Sequence, residues 1–149
     1  MTTPEAAPTP EDEKPDSLII ARQLYQSMDR RAVPLTKPEI KARERITSKP
    51  EDFAQRAAEY SISSLVVEFG TKANLPENKI FELLSQAETN AAKMYQELLD
   101  RKPAPTSSTE DFELQQDARL LHQMEVERHT NNAEIFQSAT QAISSESSK

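Results

Sequence analysis

Cysteine is absent from the 149 residues, and glycine occurs once, at Gly70. Without thiols the chain has no disulfide framework, no thiolate zinc site and no cysteine nucleophile. A single glycine excludes glycine-rich loops that hold phosphates, because their backbone must turn sharply and approach the ligand closely. It also argues against a sheet fold with many tight turns.

Long apolar runs are also missing. The longest are about four residues, as at residues 18–21, whereas a membrane-spanning helix needs roughly 20. The first residues are acidic and rich in proline, whereas a signal peptide begins with a basic and then an apolar stretch. We therefore expect no membrane insertion and a cytoplasmic protein, with a virion or nuclear location left open.

The composition predicts an all-α protein of which only part is packed. Hydrophobic residues make up 36% and charged residues 29%, against about 45–50% and 25% in typical domains. The pattern predicts a helical core at 17–102, with helices at 18–31, 37–47, 49–72 and 76–101. It also predicts a disordered acidic, proline-rich arm at 1–16, a linker at 103–108, a long helix at 109–143 and a disordered tail at 144–149.

The chain is organised around residues 48–102, which carry the longest apolar periodicity. A polar residue, a proline and a glutamate begin each of two helical segments, at Ser48 and at Asn74. We expect Gly70 to be either a left-handed helix end or an interior weak point. Because the connection is short, the segments predict an antiparallel helical hairpin within a small bundle.

The second of these helices carries a coiled-coil-like seam. Its apolar or small residues recur at steps of four and three. The seam consists of Ile80, Leu84, Ala87, Ala91, Met94 and Leu98. Phe81, Leu83, Tyr95 and Leu99 lie beside it, and two helices alone would leave them partly exposed. We therefore expect the seam to contact a second copy of the chain or a partner helix.

The short helix at 37–47 begins with the same signature at Thr36 and is the most basic place in the chain. Two glutamates, Glu39 and Glu44, accompany five cationic side chains: Lys37, Lys41, Arg43, Arg45 and Lys49. Short helix, turn and longer helix could form a helix-turn-helix, so nucleic-acid contact through 37–49 is the alternative hypothesis. The net charge of −7 disfavours it, because nucleic-acid-binding units usually have a pI above about 9.

The last helix is apolar near both ends and polar from 125 to 132. The pattern predicts docking at its two ends, bridging, or a break near residues 130–132. His122, Glu125 and His129 share one face at ligand spacing, but two solvated histidines are the simpler interpretation. We predict no metal site, no cofactor and no catalytic residue.

These patterns predict a non-enzymatic helical interaction subunit, such as an adaptor, scaffolding or assembly factor. It would self-associate or pack with partner helices. The alternative is a nucleic-acid-associated regulatory or packaging subunit that uses the basic segment. No motif indicates an enzyme.

Overall fold

The computed structural model describes residues 10–28 and 34–147, with side chains described for 17–28 and 34–145. Within these residues the protein is all α-helical, as the composition predicts, and contains no strand. A short 3-10 turn at Pro50–Asp52 precedes the third helix. The helices are α1 (Pro10–Ser27), α2 (Lys37–Thr47), α3 (Phe53–Glu59), α4 (Ser63–Lys72), α5 (Glu77–Asp100) and α6 (Thr109–Ser147).

The predicted ends of the chain differ from the observed helix bounds. Helix α1 begins at Pro10, so residues 10–16 of the expected disordered arm are helical, and residues 1–9 lie outside the described residues. The first helix was expected to reach residue 31, but residues 29–31 also lie outside the described residues. Helix α6 continues to Ser147, through most of the expected tail.

The single helix expected at 49–72 is interrupted at residues 60–62. Ser61 has a φ of 65°, and the amide of Ile62 donates to the carbonyl of Ala57 at 3.0 Å. The amide of Ser61 donates to Ala58, which completes a Schellman motif. This motif ends α3, so α3 and α4 pack as separate helices.

Asn74 ends α4 in the same way and does not cap α5. Its φ is 56°, and the amide of Leu75 donates to the carbonyl of Gly70 at 3.0 Å. Gly70 itself is an interior helical residue, and a Cβ there would lie 3.1 Å from Cγ1 of Ile80. The glycine therefore allows α4 to approach α5 closely.

Helices α5 and α6 form the principal antiparallel pair. Ser85 Oγ donates to the carbonyl of Ala133 at 3.0 Å, and Arg119 Nη2 donates to the carbonyl of Leu99 at 2.9 Å. Helix α6 is continuous, so of the three alternatives predicted for it the break near residues 130–132 is wrong. It packs on α5 and α1, and the exposed linker 103–108 connects it to the end of α5.

The core lies where α1, α3 and α4 cover the first half of this pair. The ring of Phe81 packs on Phe136 of α6 and on Tyr25 of α1, with centroid distances of 5.6 and 6.1 Å. Phe53 of α3 packs on Phe69 of α4 at 5.0 Å. All these side chains come from one chain.

Candidate functional site

Most of the predicted seam is buried within the chain itself. Ile80, Leu84, Ala87 and Ala91 are buried, and so are Phe81 and Leu83, which we expected to remain partly exposed. For Phe81 that expectation is wrong because Tyr25 of α1 and Phe136 of α6 pack on its ring. Leu83 is buried as well, whereas Tyr95 and Leu99 remain partly exposed. Only the end of the seam remains accessible: Met94 is 47% exposed, and Leu98 is half-buried.

Beyond the core, α5 and α6 continue together as a two-helix projection. We call residues 91–100 of α5 and 109–128 of α6 the stalk. Among α6 residues 109–121, Gln115 and Arg119 are partly buried and all the others are exposed. Six large apolar side chains of the stalk are exposed: Met94, Phe112, Leu114, Leu120, Leu121 and Met124.

Part of this exposed set continues the buried face of α6. Leu114, Ala118 and Leu121 precede Asn132, Phe136 and Ala139 by 18 residues, which is about five helical turns. The three later residues are buried, whereas Leu114 is 63% and Leu121 is 60% exposed. We call Leu114, Ala118 and Leu121 the stripe. It is the same helix face, left uncovered where the core ends.

On α5 the seam shows the same change along its length. Leu98 follows the buried Ile80 by 18 residues, so both lie on one face. Met94 follows the buried Ala87 by two turns on that face. The accessible end of the seam and the stripe are therefore uncovered faces of neighbouring helices in the stalk.

The cationic side chains of the basic segment 37–49 differ in their surroundings: one is paired and four are exposed. Arg43 donates to the carboxylate of Glu68 at 2.6 and 2.7 Å and lies over the ring of Phe69. The hydrogen bonds between Arg43 and Glu68 lower the pKa of Glu68 and raise the pKa of Arg43. Arg43 is thus part of the α2–α4 packing, whereas Lys37, Lys41, Arg45 and Lys49 are exposed.

Helix α2 is fixed by the capping box that the sequence predicts. The amide of Glu39 donates to Thr36 Oγ1 at 3.4 Å, and the amide of Thr36 donates to Glu39 Oε1 at 3.2 Å. Ser64 Oγ donates to the second carboxylate oxygen of the buried Glu39 at 3.2 Å. The buried face of α2 points to α3 and α4, so Lys37, Ile40 and Lys41 face outward.

A buried carboxylate, Glu88, joins α4, α5 and α6. Ser63 Oγ donates to Glu88 Oε1 at 3.0 Å, and His129 Nδ1 donates to Glu88 Oε2. His129 Nε2 lies 3.2 Å from Arg128 Nη2 and 3.4 Å from Glu125 Oε2. The hydrogen bond from Arg128 lowers the pKa of Glu125. The polar middle of α6 is therefore docked through side-chain hydrogen bonds.

The sequence contains a weak signal for this cluster. Glu88 follows Leu84 by four residues and precedes Ala91 by three, which places a carboxylate on the buried face of α5. His129 precedes Phe136 by two turns and so lies near the buried face of α6. Their pairing joins positions 41 residues apart and cannot be read from local spacing.

The three residues at ligand spacing do not form a metal centre. The ring of Tyr95 lies between the two histidines, with centroids 5.7 Å from His122 and 5.6 Å from His129. Glu125 is paired with Arg128, whose Nε donates to it at 3.0 Å. Within the described part of the chain, no group of three or more acidic, histidine or cysteine side chains could hold a metal ion.

A cleft of about 370 Å³ opens beside the Glu88 cluster. Its walls include Leu24 of α1, Met28 directly after α1, the carboxylates of Glu39 and Glu88, and Ser63. Both carboxylates accept hydrogen bonds from serines in the chain. Ser63 donates to a carboxylate and not to the imidazole, so the two are not arranged as a nucleophile and its base.

No family model, curated protein or solved structure matches the chain. None of the described helices combines the length and the apolar character that a membrane-spanning helix needs.

Proposed function

We propose that the protein is a non-enzymatic helical interaction subunit, of the adaptor, scaffolding or assembly-factor kind, and that it binds protein helices on the stalk. The observation that supports this most strongly is the stripe. Leu114 and Leu121 continue a face that is buried five turns later, yet both are more than half exposed. An amphipathic helix recognises such a face through residues spaced three and four apart.

The energetic argument rests on apolar area. Fully burying a leucine or methionine side chain contributes about 1.5–3 kcal/mol, and these side chains keep roughly half of that area in water. Covering Met94, Leu114, Leu121 and Met124 would therefore stabilise a complex by several kcal/mol before the cost of association. Large apolar side chains left exposed on one helix face, as Leu114 and Leu121 are, are typical of interaction sites.

Affinity purification with matched baits tests this function. The stripe variant carries Leu114→Asp and Leu121→Asp. The off-stripe variant carries Phe112→Asp and Leu120→Asp, which change two exposed apolar residues on other faces of the same helix by the same charge. We expect proteins bound by the wild type and the off-stripe variant to be lost from the stripe variant. Equal binding by all three baits would contradict a docking role for the stripe.

The second candidate is a nucleic-acid-associated regulatory or packaging subunit. The exposure of Lys37, Lys41, Arg45 and Lys49 favours it, although Arg43 is engaged with Glu68. Fluorescence anisotropy with duplex DNA at several salt concentrations tests this alternative. Phosphate contacts would give a negative log–log slope that becomes shallower in the Lys37→Glu, Lys41→Glu variant.

A further inference from the structure

Acidic side chains surround the stripe. Glu110, Asp111 and Asp117 lie three or four residues from Leu114 along α6, and Asp117 and Glu125 lie four residues from Leu121. Glu110, Asp111 and Asp117 are exposed, and their carboxylates form no ion pair with other described side chains. The exposed apolar stripe therefore has a negatively charged rim.

Helix α2 presents a surface of the opposite charge. Ile40 is 45% exposed, and Lys37 precedes it by three residues on the outward face of the helix. Lys41 follows Ile40 directly, and Arg45 lies one turn further along. One exposed carboxylate, Glu44, lies four residues from Ile40, so three cations and one anion leave this surface with a net positive charge. Within the described residues these three cations form no ion pair with acidic side chains. We call Lys37, Ile40, Lys41 and Arg45 the basic face of α2.

The stripe and the basic face do not meet within one chain. The long helix α6 packs on α5 and α1, whereas α2 packs on α3 and the 3-10 turn and reaches α4 through Arg43 and Glu39. Leu114 and Ile40 both remain exposed in the folded protein. Contact between these two surfaces therefore requires two copies of the chain.

We propose that the stripe of one copy docks on the basic face of α2 of a second copy. This inference rests on the proposed function and names the partner. Exposed leucines would cover Ile40, while Glu110 and Asp117 would approach Lys37 and Lys41. Because the charges lie at the rim, they set orientation and increase the association rate, and salt screens them.

The contact joins two different surfaces, the stripe of one copy and the basic face of the other. Two such contacts related by a two-fold axis form a closed dimer, in which each stalk lies on the α2 of the other copy. Without that closure the same contact repeats and gives larger assemblies. Both arrangements predict association that strengthens with protein concentration and weakens with salt.

Sedimentation velocity with reversed charges tests the inference. One variant carries Lys37→Glu and Lys41→Glu on α2, and the other carries Glu110→Lys and Asp117→Lys on the stalk. All four positions are exposed, so both variants should fold, and circular dichroism checks that they do. We expect the wild type to self-associate and each variant alone to do so at least about tenfold more weakly.

Mixing the two variants provides the decisive control. In the mixture an acidic α2 meets a basic stalk, and the unchanged acidic stalk meets the unchanged basic α2. We expect the mixture to associate again at about the wild-type concentration, which a folding defect cannot produce. Failure to associate in the mixture, or unchanged association of either variant alone, would overturn the inference.

The remaining outcome separates this inference from the proposed function. A wild type that stays monomeric at every concentration tested would overturn the second copy as the occupant. Proteins lost from the stripe variant but kept by the off-stripe variant would still support the proposed function in that case. If the wild type stays monomeric and the stripe variant also binds the same proteins as the wild type, both proposals are overturned.

Discussion

His129 donates a hydrogen bond through Nδ1 to the buried carboxylate of Glu88, and this bond fixes the middle of α6 on α5. Ser63 occupies the other carboxylate oxygen at 3.0 Å, so the same group also holds the start of α4. The stalk begins three residues after Glu88 on α5 and directly next to His129 on α6. The direction of the stalk therefore depends on a polar contact at the edge of the core.

We predict that breaking this pair on one side is costly. In His129→Leu the buried carboxylate of Glu88 loses its imidazole partner, and the free energy of unfolding should fall by about 3 kcal/mol or more. The control is His122→Leu, which also contacts Tyr95 but is not hydrogen-bonded to a buried carboxylate, and which should cost less than about 1 kcal/mol. Urea denaturation measures both.

The double variant Glu88→Leu, His129→Leu checks the reason for that loss. Replacing both partners removes the uncompensated polar group, so the double variant should be more stable than the sum of the two single losses predicts. The expected coupling is about 1–3 kcal/mol. Additive losses would show that the pair does not act as a unit.

The Arg43–Glu68 pair predicts a pH dependence of stability. Its hydrogen bonds lower the pKa of Glu68 from the ordinary value of 4.5, so the folded state favours the ionised form. The stabilisation is present above pH 4.5 and is lost as the pH falls through the lower folded-state pKa. We expect Glu68→Gln to destabilise by roughly 1.5 kcal/mol or more at neutral pH.

This difference between wild type and Glu68→Gln should shrink as the pH falls below 4.5, because protonation removes the charge from the wild type as well. Thermal unfolding at a series of pH values measures it. A difference that is constant or grows on acidification would contradict the role assigned to the pair.

The left-handed conformation of Ser61 predicts a stabilising substitution. Its φ is 65°, a region that costs an L residue roughly 1 kcal/mol and costs glycine little. Ser61→Gly should raise the free energy of unfolding by up to about 1 kcal/mol, and Ser61→Val should lower it because a β-branched side chain is more strained there. An equal effect of both substitutions would show that the backbone does not hold this conformation.

The parts of the fold that follow local rules could be predicted from sequence. The capping box at Thr36 and the helical register of α5 depend on residues within one or two turns of each other, and both are present. The break at Ser61 was missed because serine gives no signal for a left-handed residue. Asn74 was misassigned because asparagine serves equally well at a helix start and after a helix end.

The candidate site was only partly predictable because it depends on contacts between distant residues. The apolar face of α5 could be predicted, but the segments of the same chain that cover it could not, since Phe136 lies 55 positions from Phe81 in sequence. The polar residues 125–132 gave no signal that the middle of α6 is docked, because the partner of His129, Glu88, lies on another helix. The exposure of Leu114 and Leu121 follows from where the core ends, which no local pattern specifies.

The absence of cysteine allows the most direct test of the docking contact. Single cysteines introduced as Ile40→Cys on the basic face and Ala118→Cys on the stripe are mixed and oxidised, with Ile40→Cys plus Leu120→Cys as the control pair on a different face of α6. We predict that the Ile40–Ala118 pair forms a disulfide-linked heterodimer faster than the control pair, and that high salt removes the difference. Equal cross-linking of the two pairs, or none with Ala118, would contradict docking of the stripe on α2 of a second copy.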